Sequence, residues 1–237
     1  MFEIINKINN ADWQTIGNDM NNKGYSIIPE FLNKEQCQDL IDNFDSTQGY
    51  RKTVIMERHR FGIGSYKYWD YPLPDLVQIL REGIYPRLVP IANSWMNYLQ
   101  IEKQFPETFK ELQLACHQHG QLKPTPLILQ YKKGGYNTLH QDLYGEMYFP
   151  IQAACFLSNP ETDYTGGEFV MTEQIPRCQS RAIVIKPGIG DMILFTTNFR
   201  PAKGVKGYYR VNMRHGVSEV KSGKRCAMGI IFHDAIS

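Results

Sequence analysis

The stretch 127–142, LILQYKKGGYNTLHQD, decides how this chain is read. Apolar and polar residues alternate on both sides of Gly134-Gly135, the pattern of two short strands joined by a tight turn. A two-residue turn at that dipeptide pairs Tyr131 with Thr138 and Leu129 with His140. Residues i and i+2 of a strand point to the same side, so His140 and Asp142 present two donors to one ion. Tyr131 then shares their face, one diagonal step from His140. Two donors do not hold a metal alone, and the rest of the chain must supply the others.

From Leu127 onward, short apolar runs alternate with Gly, Pro, Asn and Asp turns. They read as strands around 127–131, 136–142, 149–157, 168–171, 182–186, 192–197, 208–217 and 225–232. This many short strands with turn-type separators predicts a jelly roll, a double-stranded β-helix. Gly166-Gly167-Glu168 reads as a tight hairpin turn, and KPGIGDMILF (186–195) as a turn delivering the chain into a core strand. The first half, 1–120, reads as mainly helical. NKEQCQDLIDNF (33–44) opens on the N-cap residue Asn33 and spaces Leu40, Ile41 and Phe44 on one face. The segment 74–100 reads as helical pieces broken at Pro86 and Pro90, and 106–120 as a helix ending in glycine. The expected fold is therefore α+β: N-terminal helices packed on one face of a jelly-roll core formed by 121–237. No linker separates the halves, so residues 1–237 read as one domain.

The third ligand is sought among His59, His117, His119, His215 and His233. His215 lies in YYRVNMRHGVSEVKSGKRCAMGIIF (208–232), a strand–turn–strand pattern. Arg225 follows ten residues later, and a hairpin around 220–223 puts both residues on the same side of neighbouring strands. Two imidazoles and a carboxylate on one face of octahedral Fe(II) leave three positions open. 2-Oxoglutarate fills two of these through its keto oxygen and C1 carboxylate, and dioxygen the third. The C5 carboxylate then projects away, where Arg225 meets it as a bidentate pair and Tyr131 adds a hydrogen bond. Fe(II), Asp142, 2-oxoglutarate and Arg225 together sum to zero charge, as a buried site requires. The rival pair His117-x-His119 ends a helical segment and lacks the glutamate of a cupin site. His233 reads as structural.

The order of HxD, distal His and an Arg ten residues on resembles the 2-oxoglutarate/Fe(II) dioxygenases. RHGVSEVKSGKR is similar to the prolyl-4-hydroxylase-like branch, and QYKKGGYNTLHQD to the corresponding stretch of AlkB-type demethylases. LHQDLYGEMYFPIQ, GGEFVMTEQ, VNMRHGV, GIIFHDA and, upstream, RFGIGSYKYWDYPLPDLV resemble a bacterial family of predicted 2-oxoglutarate/Fe(II) oxygenases proposed to act on damaged DNA. The resemblance covers most of the chain. It implies a double-stranded β-helix, iron at His140, Asp142 and His215, and cosubstrate at Arg225 with Tyr131. AlkB enzymes carry a second arginine six residues after the first, and here that position is Ile231. The implied reaction couples conversion of 2-oxoglutarate and O2 to succinate and CO2 with hydroxylation of a C–H bond. On an N-methyl group of damaged nucleic acid the product loses formaldehyde; on a protein or amino-acid side chain it is a stable alcohol. The non-enzymatic alternative is a jelly-roll binding protein with a structural zinc or nickel, which has no use for Arg225.

Composition narrows the field further. A net charge of +2 falls short of the strongly basic profile of a dedicated nucleic-acid binder. ERHRFGIGSYKYWDYP (57–72) nevertheless interleaves cations with aromatics, a mixture that suits bases and phosphates as well as a cover over the barrel mouth. Tyr144 and Glu146, just past the HxD pair, are candidates to face substrate. The start, MFEIINKINNADW, has neither a basic nor an apolar leader region, and no run approaches a membrane span. Cys37, Cys116, Cys155, Cys178 and Cys226 are scattered and odd in number, which excludes a disulfide framework and predicts a reducing cytoplasm.

Overall fold

Alternation at period two accounts for the core of the computed structural model, which describes residues 2–160 and 162–237. Among the described residues the α-helices are α1 (Phe2–Asn10), α2 (Trp13–Lys23), α3 (Lys34–Asp42), α4 (Asp75–Tyr98) and α5 (Phe109–Gln118). The strands are β1 (Tyr25–Ile28), β2 (Tyr50–Ile55), β3 (Gly62–Ile63), β4 (Ser65–Trp69), β5 (Leu127–Lys132), β6 (Tyr136–His140) and β7 (Ile151–Phe156). They continue as β8 (Tyr164–Gly166), β9 (Phe169–Gln174), β10 (Arg181–Ile185), β11 (Met192–Thr196), β12 (Phe199–Gly204), β13 (Gly207–Val217) and β14 (Val220–Ile230). An eight-stranded sheet runs β1-β11-β7-β14-β5-β4-β2, with β8 on β14; a six-stranded sheet runs β10-β9-β13-β6-β3, with β12 on β13.

The larger sheet is covered on both faces, so its central strands read as nearly continuous apolar runs. In β7, β11 and β14, Ile151, Ala153, Met192, Leu194, Met228 and Ile230 face the helices. The alternate residues Phe156, Ile193 and Phe195 face the smaller sheet and meet Phe169, Met171, Val211 and Met213. The helices bury Leu80, Ile84, Leu88, Ala92 and Trp95 of α4 completely, with Ile4 of α1 and Leu112 of α5. Each large apolar side chain so buried contributes about 1.5–3 kcal/mol. Arg81 of α4 ties the C-terminal tail to this layer. Its guanidinium donates to the carbonyls of Ile231 and Phe232 and to Asp234 at 2.5 Å, with both charged groups fully buried.

The jelly roll and the helical layer agree with the sequence, as do α3 and α5. The Asn33 side chain accepts from Gln36 N–H in a capping box, and Thr108 caps α5 in the same way with Glu111. Other expectations fail for identifiable reasons. Pro86 and Pro90 do not break α4, which is continuous over 24 residues. Both prolines are solvent-exposed and four residues apart, so the carbonyls they leave unpaired face water while the opposite face packs. The segment 1–120 is mainly helical, as expected, but it also supplies strands: β1, β2 and β4 extend the large sheet and β3 the small one. All four are short, and β1, β3 and β4 pair with strands more than 55 residues away, which local periodicity does not reveal.

The three expected hairpins are also absent. β5 pairs with β14 and β4, whereas β6 pairs with β13 and β3. The Gly134-Gly135 turn therefore carries the chain from one sheet to the other. The connection at 218–219 does the same between β13 and β14, and Gly166-Gly167 between β8 and β9. His140 thus stands opposite His215, not Leu129, and Tyr131 stands opposite Arg225.

Candidate functional site

These crossings put the sequence-predicted residues on the two facing walls of one cavity. Antiparallel register places His140 and His215 directly opposite each other on β6 and β13, with ring centroids 4.2 Å apart. Asp142 follows just beyond β6. Its carboxylate lies 3.3 Å from His215 Nε2 and 3.6 Å from His140 Nε2. Among the described residues, one donor atom from each of His140, Asp142 and His215 falls within 4.8 Å of the others. Asp142 and His215 are buried and His140 is a third exposed, so the cluster is open on the His140 side.

The surroundings orient these donors. His140 Nδ1 lies 2.7 Å from the Thr138 carbonyl, which only accepts; the proton therefore sits on Nδ1 and the Nε2 lone pair points to the cluster. The Tyr144 hydroxyl donates to Asp142 Oδ1 at 2.6 Å. His215 is wedged against the rings of Phe195 and Phe169. Burial raises the Asp142 carboxyl, but the His140 and His215 imidazoles and the Tyr144 hydroxyl outweigh it and hold the acid well below the usual carboxylate range. Burial, aided by His140, lowers the basicity of His215 and keeps its ring neutral. Two imidazoles and one carboxylate are a donor set for a divalent first-row ion.

The opposite wall belongs to the large sheet. Period-two alternation brings Tyr131 of β5 and Arg225, Ala227 and Gly229 of β14 to the cavity, with Tyr66 and Tyr68 of β4 beside them. The cavity holds about 220 Å³, and its walls are mainly apolar. Arg225 is 2 % exposed, has no carboxylate partner among the described residues, and leaves Nε without a hydrogen-bond acceptor. Its guanidinium lies between the rings of Tyr131 and Phe156, 5.5 and 5.4 Å from their centroids. The Tyr131 hydroxyl is likewise buried without a partner, and burial, opposed by Arg225, pushes its pKa up to about 12. A buried cation with no carboxylate partner and a buried hydroxyl with no hydrogen-bond partner are complementary to an anionic ligand. This is the fit expected for the far carboxylate of 2-oxoglutarate.

Two glycines make this wall possible. Gly167 has φ +61, and a Cβ there would lie 2.9 Å from Arg225 Cδ. At Gly64, φ +150, a Cβ would lie 2.8 Å from the Tyr131 ring. Both positions need the absence of a side chain as well as glycine's backbone freedom.

The remaining candidates sit elsewhere. His117 Nε2 bonds Asp234 at 3.0 Å, and His119 Nδ1 bonds the Ala115 carbonyl, so HxH does not converge on one ion. His233 is buried and its Nδ1 accepts from Phe149 N–H, a structural position. Glu146 is exposed and outside the cavity lining, whereas Tyr144 and Ile231 line it. The segment 57–72 divides: Tyr66 and Tyr68 form the wall and Phe61 stands at the cavity's edge, while Trp69 is buried among the core residues. The sequence reading missed Tyr66 and Tyr68. Their i, i+2 spacing next to the apolar run at 127–131 was the available signal.

Comparison with known proteins places this site in context. The family model Oxygenase-NA, described as an oxygenase catalysing oxidative methylation of damaged DNA, matches residues 64–235. Two uncharacterized Mycobacterium tuberculosis proteins, MT2286 of strain CDC 1551 / Oshkosh and Rv2227 of strain ATCC 25618 / H37Rv, are 45% identical over 164 residues, covering 69% of this chain and 70% of theirs. The fold is similar to a Trichoplax adhaerens prolyl hydroxylase solved with a hypoxia inducible factor peptide fragment (TM-score 0.59, 15% identity, 96% of each chain). It is also similar to a 2OG-Fe(II) oxygenase family oxidoreductase from Burkholderia pseudomallei (TM-score 0.54, 14% identity, 95% of this chain and 94% of that one). With the family model spanning most of the chain and the His–Asp–His cluster inside the matched region, the chain belongs to the Oxygenase-NA family.

Proposed function

We propose that this protein is a 2-oxoglutarate- and Fe(II)-dependent dioxygenase that hydroxylates a C–H bond on damaged nucleic acid, releasing the oxidised carbon as formaldehyde where that carbon is an N-methyl group. The observation that carries the reading is a single cavity with the His140, Asp142 and His215 donors on one wall and the unpaired, buried Arg225 on the other. In this reading His140, Asp142 and His215 hold the iron, and Arg225 with Tyr131 holds the C5 carboxylate of 2-oxoglutarate. The bound iron and cosubstrate supply the oxidising power for hydroxylation. The chain's own residues do the rest. Tyr144 and the Thr138 carbonyl fix the ligands, and the rings of Phe156, Phe169 and Phe195 exclude water from around them. Tyr66, Tyr68 and Tyr144 line the part of the cavity where a planar substrate group can stack.

A single domain over 1–237 acting in the cytoplasm is part of this reading. Its support is one buried cluster drawing on both halves of the chain and five unpaired cysteines, four of them buried. No described helix is long and apolar enough to cross a membrane. Hydroxylation of a protein or amino-acid side chain is the second reading, favoured by Ile231 on the cavity wall where AlkB-type enzymes resemble one another in carrying arginine. Coupled succinate and formaldehyde formation, screened over methylated oligonucleotides and peptides with Fe(II)-loaded protein, tests both. Turnover with peptides alone overturns the nucleic-acid substrate. Failure of the loaded protein to bind or consume 2-oxoglutarate overturns the dioxygenase reading.

A further inference from the structure

The cavity opens beside an exposed apolar ridge that neither the fold nor the metal cluster requires. Phe61, Ile63 and Tyr136 are between 38 % and 45 % exposed. They belong to one structural unit, because β3 pairs with β6 through Gly62–Asn137 and Ile63–Tyr136. The ridge is rigid. The Phe61 carbonyl accepts from both the backbone N–H and the hydroxyl of Thr138, each at 2.9 Å. The His59 ring stacks on Phe61 at 5.3 Å, and Arg60 turns the chain in a left-handed conformation, φ +61. Phe61 is also part of the cavity lining. An aromatic ring is thus held in water at the edge of the cavity.

Cations frame the ridge. Arg58 and Arg60 are exposed on the loop before it, and exposed Lys132 and Lys133 begin the turn packed against it: the site of a Cβ on Gly135 lies 3.0 Å from the Ile63 carbonyl. Glu57 is the one carboxylate on that loop, and its side chain accepts from Gly64 N–H. Exposed apolar surface framed by four cations and one carboxylate marks a docking site for a partner of negative charge.

We propose that this ridge is where a nucleic-acid strand docks, with Arg58, Arg60, Lys132 and Lys133 on the phosphates and Phe61 inserted where the target base leaves the stack. The proposal rests on the nucleic-acid reading above and names the surface that serves it. A base reaches a buried metal cluster only after leaving the duplex, and a rigid ring at the cavity edge can occupy the gap it leaves. An acidic peptide meets the charge but has no use for the ring.

The test uses the full chain with Mn(II) and 2-oxoglutarate, and a fluorescein-labelled duplex carrying one mismatched pair. If four cations meet phosphates, affinity falls about a hundredfold between about 50 and 200 mM salt. The double variant Arg58→Gln, Arg60→Gln lowers the log–log salt slope by about two, while its slow, substrate-free conversion of 2-oxoglutarate, followed with Fe(II) in place of Mn(II), is unchanged. With 2-aminopurine beside the mismatch, wild-type binding raises its fluorescence; Phe61→Ala binds within about threefold but gives no rise, and Phe61→Trp restores it. Salt-independent binding, a double variant with wild-type affinity, or preference for an acidic peptide of equal charge overturns the assignment. The arms separate the two levels of inference: 2-oxoglutarate consumption without oligonucleotide binding removes only the ridge, and absence of that consumption removes the oxygenase reading.

Discussion

Replacing Arg225 by methionine is expected to stabilise the ligand-free protein while destroying cosubstrate binding. The guanidinium is 2 % exposed and has no carboxylate partner among the described residues. An uncompensated buried charge costs several kcal/mol, taken here as about 3. Two cation–π contacts, with Tyr131 and Phe156, return about 1 kcal/mol each. Methionine fills much of the same volume without charge, so the net gain is about 1 kcal/mol, or about 2–4 °C in Tm for a chain of this size. Binding moves the other way. Loss of a bidentate, charge-assisted pair to the ligand's far carboxylate costs about 3 kcal/mol, which weakens 2-oxoglutarate about 150-fold. The assays are thermal unfolding of metal-free protein by circular dichroism and calorimetric titration of 2-oxoglutarate into the Mn(II) form. A variant that unfolds several degrees lower, or that keeps 2-oxoglutarate affinity within about threefold, would refute the reasoning.

Three further outcomes follow from named contacts. Tyr144→Phe removes the hydroxyl that orients Asp142 and should weaken Mn(II) or Co(II) binding about 10- to 100-fold in calorimetry, with unfolding unchanged to within about 1 kcal/mol; unchanged metal affinity assigns Tyr144 to the cavity wall alone. Asp234→Asn leaves Arg81 charged and buried without its partner, and urea titration should show a loss of about 3–5 kcal/mol. His233 is fully buried, and burial together with Arg81 lowers its pKa to about 3 from the ordinary 6.5. The unfolded chain therefore takes up the proton first, so the stability held by neutral His233 is complete above pH 6.5 and declines as pH falls toward about 3, by about 1.4 kcal/mol per unit. Urea titrations across that window should show a shallower decline for His233→Asn, and identical slopes would contradict the burial argument.

The sequence by itself singled out the residues that the fold brings to one cavity. His140, Asp142, His215 and Arg225 were legible because residue type and spacing are properties of the chain, and period-two alternation identified the strands that carry them. It also determined the capping of α3, where Asn33 and Gln36 are three residues apart and need no distant partner. Tertiary structure alone decided how those residues meet. A glycine pair between two strands reads as a hairpin, yet at Gly134-Gly135 the chain crosses between sheets, as it does again at Ser218-Glu219, and each flanking strand pairs with distant partners instead of its neighbour. That crossing sets His140 against His215 and Tyr131 against Arg225, on facing walls, and opens a cavity between them. It also explains why Tyr66 and Tyr68 were read only as part of the segment 57–72 and not as a wall of the site. β4 enters the large sheet only through pairing with β5, about 60 residues later, and no local propensity records a partner at that separation.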